Sequence, residues 1–313
     1  AEDLSRLPLF PWHLFKRKAV VQKGRRFLHV VAGRGCPFRC TYCCNPVYLR
    51  HYGKDYLRFR PIPDILEELK YLKEKYRPDL FYFADEMIFS MPDYIAELFT
   101  RLKEEVGVPY GCMSRVEFIN SHAVDLLKRT GCLYLAMGIE CGDEYFREKY
   151  LNRRMSNEKI KDAFAMVKNA DIFVTSYNMI GFPFENDSYL TEKTVELNKE
   201  IRPHYAQFSI FYPFPGTELY DFCLEKDLID EDRKANTKQY FSESILKGFT
   251  LKNKIREINL TFNPDGFQFQ KVRGKTFLTK IFLPMRRFSR FLLRRLPEPI
   301  QSFVRLVVRG LRR

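Results

Sequence analysis

The sequence predicts an α/β fold built on a parallel sheet, and three observations carry that expectation. Short apolar, β-branched or aromatic runs alternate with amphipathic helical patterns, the grammar by which strands and crossover helices build such a sheet. Each strand-like run is followed by a polar or Gly/Pro-rich segment, as expected where the carboxyl ends of parallel strands form a site. No apolar run approaches the roughly 20 residues that a membrane span needs. The 313 residues suffice for one large domain with a smaller appendage.

Six runs read as strands, in order: "FLHVVA" (27–32), "LFYFA" (80–84), "VPYGCM" (108–113), "CLYLAMGI" (132–139), "IFVTSYNMI" (172–180) and "AQFSIFY" (206–212). Between them, "PDILEELKYLKEKY" places Ile65, Leu66, Leu69 and Leu72 at helical spacing. "DYIAELFTRLKEEV", "SHAVDLLKRTG" and "SNEKIKDAFAMVKNA" behave likewise. Ser121 and Ser156 are the expected N-caps, and Gly131 closes its helix. Six such units form a partial barrel, a closed barrel or an open doubly wound sheet.

The strand ends deliver chemistry. The first is followed by "GRGCPFRCTYCC", the second by Asp85-Glu86, the third by "SRVE" with Arg115, and the fourth by "ECGDE" with Glu140 and Cys141. "GFPFEN" follows the fifth and "PFPGTE" the sixth. The first segment crowds four of the chain's eight cysteines into nine positions. A structural zinc site takes four ligands, usually in two separated pairs, and the second pair is missing here. No secretory signal opens the chain, so the cysteines read as cytosolic thiols rather than disulfides, and a cytoplasmic protein is expected. Cys112, Cys132 and Cys223 read as inert buried thiols. Three thiolates at Cys36, Cys40 and Cys43 suit an iron–sulfur cubane with one iron left open, whereas four-cysteine ligation is the electron-transfer pattern. None of the five histidines sits at metal-ligand spacing; His51, just after the loop, is the one singled out.

CxxxCxxC with Tyr42 before its last cysteine resembles the radical S-adenosylmethionine (radical SAM) superfamily. The fuller pattern resembles its cobalamin-binding-domain class: "FADEMIF" (83–89), "GIEC" (138–141), "GFPFE" (181–185) and "PGTELY" (215–220), in that order. The resemblance covers roughly residues 5–225, and the opening "LSRLPLFPWHLF" resembles the linker to a cobalamin domain. It implies a parallel (β/α)6 partial TIM-type barrel. It also implies a 4Fe–4S cluster held by Cys36, Cys40 and Cys43, and S-adenosylmethionine bound by Tyr42, Asp85, Glu86, Arg115, Glu140, Gly181 and Pro183. Asp85 and Glu86 would face the methionine ammonium, Arg115 its carboxylate, Glu140 the ribose, and Tyr42, Gly181 and Pro183 the adenine. A low-potential electron donor such as a flavodoxin or ferredoxin is implied as partner. Cobalamin would come from a domain outside this chain, whose start at Ala1 rather than Met is expected of a processed or truncated piece. Cys141 departs from the Ser usual in the class.

The expected activity is methyl transfer, or radical rearrangement or oxidation, on a small, lipid-like substrate. Tyr177, Asn178, Phe211 and Tyr212 lie on strand ends that should face the cavity, and read equally as substrate residues or as core. A sulfur-inserting enzyme generally needs a second cluster, for which no second cysteine motif exists; a zinc-stabilised binding module is the non-enzymatic alternative. The expected divisions are a linker (1–26), the barrel (27–226), a C-terminal subdomain (227–270) and a basic amphipathic α-helical extension (271–313). The extension holds thirteen Lys/Arg and one acid, hence +12 of the net +14. Its Arg-rich and aromatic faces point to an anionic membrane surface rather than nucleic acid, so a peripheral location at the inner membrane face is expected.

Overall fold

The computed structural model describes residue 4 and residues 10–14, 27–236, 243–248 and 251–264. The extension at 271–313, with most of 1–26, lies outside the described residues. Strands β1 (Phe27–Val30), β2 (Gly33–Arg34), β3 (Arg58–Phe59), β4 (Leu80–Phe83), β5 (Tyr110–Arg115), β6 (Cys132–Glu140), β7 (Phe173–Ile180) and β8 (Tyr205–Ile210) appear in chain order. Six of them form one parallel sheet, ordered β1-β4-β5-β6-β7-β8. Each new strand joins beside the last, so the sheet curls into a half-barrel. The short β2–β3 pair is antiparallel and stands apart.

The helices are α1 (Asn45–Tyr52), α2 (Ile62–Tyr76), α3 (Pro92–Arg101), α4 (Ser121–Thr130), α5 (Glu144–Lys149), α6 (Asn157–Asn169), α7 (Asp187–Ile201), α8 (Glu218–Glu225), α9 (Glu231–Asn236) and α10 (Lys252–Phe262). The helical pattern expected to reach Val106 is α3 followed by one π-turn, Leu102–Val106. Ser156 caps α6 as expected, accepting from Lys159 N. The cap of α4 is one residue earlier than expected: Asn120 Oδ1 accepts from Ala123 N at 2.9 Å, which makes Ser121 the first helical residue.

Strand residues alternate between two faces. Leu28, Val30, Phe81, Phe83, Tyr110, Cys112, Leu135, Met137, Ile139 and Val174 share one core with α2, α3, α4 and α6, so that face points outward to the helices. Tyr82, Met113, Gly138 and Tyr177 alternate with these and keep part of their surface exposed, which marks the inner face. Low on it runs a line of rings, His29–Tyr82–Tyr134–Phe173–His204, with successive centroids 4.9–5.9 Å apart. Gly111 lies between the two tyrosine strands; a Cβ there would stand 2.9 Å from Tyr134 Cβ.

The free edge of β8 is closed by a helix rather than a strand. Asn259 of α10 accepts from Phe208 N at 3.1 Å and donates to Phe208 O at 3.2 Å. Asn263, one turn on, does the same for Ala206 N and O at 3.0 and 2.5 Å. Two side-chain amides at i and i+4 thus stand in for a strand partner, a way of blunting an edge that would otherwise offer unpaired groups.

Candidate active site

The cysteine loop leaves the sheet after β1 and is held at several points. Gly35 has φ +100°, and a Cβ there would lie 2.4 Å from Tyr56 O, so only glycine fits this close approach. Thr41 Oγ1 donates to Tyr150 O at 2.5 Å, Leu219 N donates to Thr41 O at 3.1 Å, and Asn152 Nδ2 donates to Arg39 O at 2.8 Å. Loop, α5 end and α8 start are therefore tied together.

All four thiols are free: Cys40 is buried, Cys36 and Cys43 are half-buried, and Cys44 is exposed. Burial raises the Cys36 and Cys43 thiols, Cys43 to about 12. Cys40 lies within electrostatic range of both. Among the described residues no trio of His, Cys, Asp or Glu stands in finished metal-ligand geometry. The donor chemistry fits a cluster all the same: three soft sulfur ligands on one pinned loop, a set that selects iron–sulfur clusters over oxygen-loving cations.

Asp85 and Glu86 part company. Asp85 turns under the loop, 2 % exposed, and accepts from Ala32 N at 3.0 Å and Gly33 N at 2.5 Å. Burial pushes its carboxyl up to about 7, against those two bonds. Asp85 thus braces the loop's entry. Glu86 is exposed and accepts from Gly35 N at 3.3 Å. Arg115 donates from Nη1 to Cys40 Sγ at 3.1 Å, lies 3.9 Å over the Phe38 ring, and pairs with Glu117. It therefore reaches the loop while holding a carboxylate of its own chain.

Glu140 sits at a register shift between β6 and β7, with φ +70°. A non-glycine residue in that region is strained, and such strain clusters at functional sites. Its Oε1 accepts from Arg153 Nη1 at 2.8 Å, and the same nitrogen donates to Tyr42 Oη at 3.0 Å. Burial raises the Glu140 carboxyl and Arg153 opposes it. Arg153 Nη2 also donates to Gly138 O at 2.8 Å. Sequence reasoning missed Arg153. Its one signal, a pair of arginines in "LNRRMS", is indistinguishable from a solvated loop.

Gly181 (φ +81°) and Phe182 present their amides to Asp187 Oδ1, each at 2.8 Å, so Asp187 shapes the "GFP" turn that carries Pro183. Cys141 is buried, with Thr194 Oγ1 3.7 Å from its sulfur, away from the inner face. Of the expected substrate residues, Tyr177 is on the inner face and Tyr212 is half-buried. Asn178 follows the core alternative: it faces α7, where Asn198 Nδ2 donates to its Oδ1 at 2.7 Å. Phe211 is core as well, 1 % exposed in an apolar cluster with Phe182 and Leu219. His51 is exposed at the end of α1, against Tyr52.

The model of the radical SAM superfamily matches residues 30–194, more than half of the chain. The chain belongs to the radical SAM superfamily. The family uses a 4Fe–4S cluster and S-adenosylmethionine. It is 25% identical over 229 residues to an uncharacterized methyltransferase of Pyrococcus horikoshii, covering 73% of this chain and 49% of that one. It is 24% identical over 298 residues to the cytidylyl-2-hydroxyethylphosphonate methyltransferase of Streptomyces wedmorensis, covering 88% of this chain and 54% of that one. The chain thus spans about half the length of these curated relatives. The radical SAM methyltransferase TsrM of Kitasatospora setae, solved with cobalamin and a [4Fe–4S] cluster bound, shares the fold: TM-score 0.55, 15% identity, 65% of this chain and 40% of that one. A zinc-stabilised binding module is not favoured by this membership. Among the described residues no helix is long and apolar enough to cross a membrane.

Proposed function

We propose that this radical SAM barrel performs methyl transfer on a small organic substrate, as part of an enzyme of the cobalamin-associated class. The observation that carries the catalytic reading is the pinned loop after β1 with Cys36, Cys40 and Cys43, beside which Glu86, Arg115 and Glu140, the last held by Arg153, stand at the carboxyl ends of β4, β5 and β6. Methyl transfer is supported by the names of both curated relatives, and the cobalamin class by the fold shared with TsrM.

Cys36, Cys40 and Cys43 would hold the cluster, which supplies one-electron reduction of the S-adenosylmethionine sulfonium. The chain's own residues do the positioning. Glu86, exposed at the loop, is the acid placed to receive an ammonium group; Asp85 supports the loop beneath it. Arg115 is suited to a carboxylate, for which it would exchange Glu117. Glu140, held by Arg153, would meet ribose hydroxyls, with Tyr42, Gly181 and Pro183 around the base. Tyr177 would face substrate from the inner wall. Residues 227–270 form a C-terminal subdomain in this reading, and the +12 of residues 271–313 supports an anionic membrane surface as their partner. Radical rearrangement or oxidation is the alternative chemistry.

Anaerobic reconstitution with iron, sulfide, S-adenosylmethionine carrying a labelled methyl group, and added cobalamin tests the proposal. Label appearing on cobalamin or on a small-molecule acceptor supports methyl transfer. Only 5′-deoxyadenosine, with all label left in methionine, would favour the rearrangement or oxidation chemistry.

A further inference from the structure

A buried carboxylate that the reaction above does not use lies on α2. The buried side of this helix is otherwise largely apolar, with Ile65, Leu66, Leu69 and Leu72, yet Glu68 is buried with them, 4 % exposed. A buried ion costs stability unless it is paired, and a well-packed apolar residue in its place is often as stable or more so. Glu68 has two partners. Trp12 Nε1 donates to its Oε1 at 2.7 Å, and Arg60 Nη1 donates to its Oε2 at 2.6 Å. Trp12 opens the single turn Trp12–Leu14, packs against the core, and accepts at its carbonyl from Tyr76 Oη at 2.9 Å. Arg60 carries the contact onward. Its Nη1 also donates to Val31 O at 3.2 Å, its backbone N donates to Ala32 O at 2.8 Å, and its carbonyl accepts from Tyr94 Oη at 2.8 Å. Val31 and Ala32 join β1 to the cysteine loop. Asp85 takes the Ala32 and Gly33 amides, and Arg60 takes the Val31 and Ala32 carbonyls. Arg60 also follows β3 directly, and β3 pairs with β2 through Phe59–Gly33 and Arg58–Arg34. Residues 33–59, with all four cysteines of the loop, therefore leave and return through one closed neck, and Arg60 clamps it.

We propose that Trp12, Glu68 and Arg60 are positioning residues for the cysteine loop, a relay through which the opening segment sets the geometry in which S-adenosylmethionine is bound. They act on the loop through the Val31 and Ala32 carbonyls. With Trp12 seated on α2, both Glu68 oxygens have donors, and the carboxylate holds the Arg60 guanidinium against the neck. Without the Trp12 N–H, Oε1 is left buried and unsatisfied, which costs at least as much as the bond itself. The carboxylate then turns toward another donor and draws Arg60 off the Val31 and Ala32 carbonyls. The need for a fixed fork at this place accounts for a charge where an apolar side chain would pack. The proposal rests on the assignment of the cluster to Cys36, Cys40 and Cys43.

The test compares the parent, as the full chain, with Trp12→Phe, which keeps a ring and removes the N–H, and with Glu68→Gln. Asn259→Ala, on the β8 edge at the opposite end of the sheet from β1, controls for lost stability alone, and urea denaturation puts all four on one scale. Hydrogen exchange is read at the Ala32, Gly33 and Gly35 amides of the iron-free protein. Calorimetry then measures S-adenosylmethionine binding to the reconstituted protein. The account expects exchange at these amides to be about two- to tenfold faster in Trp12→Phe and Glu68→Gln, the equivalent of one hydrogen bond, and S-adenosylmethionine to bind more weakly by a similar factor. Asn259→Ala should match the parent in both. Trp12→Phe and Glu68→Gln that lose stability yet match Asn259→Ala in exchange and affinity would reduce the three residues to a brace and overturn the proposal. Faster exchange with unchanged affinity would overturn it too, since the neck would then move without consequence for the site. If Glu68→Gln does not fold, Trp12→Phe decides alone. A parent that forms no cluster would instead strike the cysteine assignment, while exchange in the iron-free protein still tests the relay.

Discussion

Arg153 Nη1 stands 2.8 Å from Glu140 Oε1 and 3.0 Å from Tyr42 Oη, so one guanidinium joins the cysteine loop to the end of β6. Both ionic partners are nearly closed to water, with side chains 5 % and 13 % exposed. Removing the cation would leave a buried carboxylate without a counter-charge. Arg153→Met should therefore lower unfolding stability by about 3–5 kcal/mol, read by urea denaturation. Arg153→Met in a Glu140→Gln background should cost much less, because the uncompensated charge is gone. Gly138→Ala should weaken the same array, since its Cβ would meet Glu140 Oε1 at 2.2 Å. Equal costs of Arg153→Met in both backgrounds would refute the coupling.

Asp85 carries a pH signature. Burial raises its folded pKa to about 7, from an unfolded value of about 3.9. Between those values the folded state binds the proton more tightly, so this group's contribution to stability falls as pH rises through that window and is level above it. Asp85→Asn keeps an acceptor for the Ala32 and Gly33 amides and removes the titration. It should flatten this part of the stability curve and be neutral or stabilising at pH 8. Asp85→Ala should cost about 1–3 kcal/mol at any pH by orphaning a buried amide. Thermal unfolding across a pH series separates the two, and an Asn variant with the parent's full pH slope would count against the assignment.

At the other end of the sheet, Asn259→Ala and Asn263→Ala should each cost about 0.5–1.5 kcal/mol per lost hydrogen bond. The double variant should expose the β8 edge and aggregate faster on warming. Light scattering beside a denaturant series checks this, and a double variant as soluble and stable as the parent would show that α10 does not guard the edge.

These residues also show where sequence stops being informative. Strand-and-helix alternation predicted all six strands of the main sheet, because 3.6- and 2-residue periods record which face each element buries. The cysteine loop was legible because its spacing is local. Arg153 was not: its partners, Tyr42 and Glu140, are 111 and 13 residues away, and nothing local distinguishes it from Arg154. The division of labour between Asp85 and Glu86 was hidden for the same reason, since backbone amides 52 and 53 residues distant decide it. Asn178 stayed open between cavity and core because a strand-end polar residue points to either face, and a one-residue step in register reverses the answer. Asn259 and Asn263 imitate a strand partner only once α10 lies along β8.

The central claim is that Cys36, Cys40 and Cys43, and not Cys44, hold a catalytic cluster. The direct measurement is iron and sulfide content with the electron paramagnetic resonance spectrum of the reduced protein after anaerobic reconstitution, for the parent and the four single Cys→Ala variants. The account predicts that Cys36→Ala, Cys40→Ala and Cys43→Ala each lose the 4Fe–4S signal. Cys44→Ala should keep it, and its spectrum should shift when S-adenosylmethionine is added. Loss of the cluster in Cys44→Ala as complete as in the other three, or a parent protein that binds zinc and no iron, would contradict it.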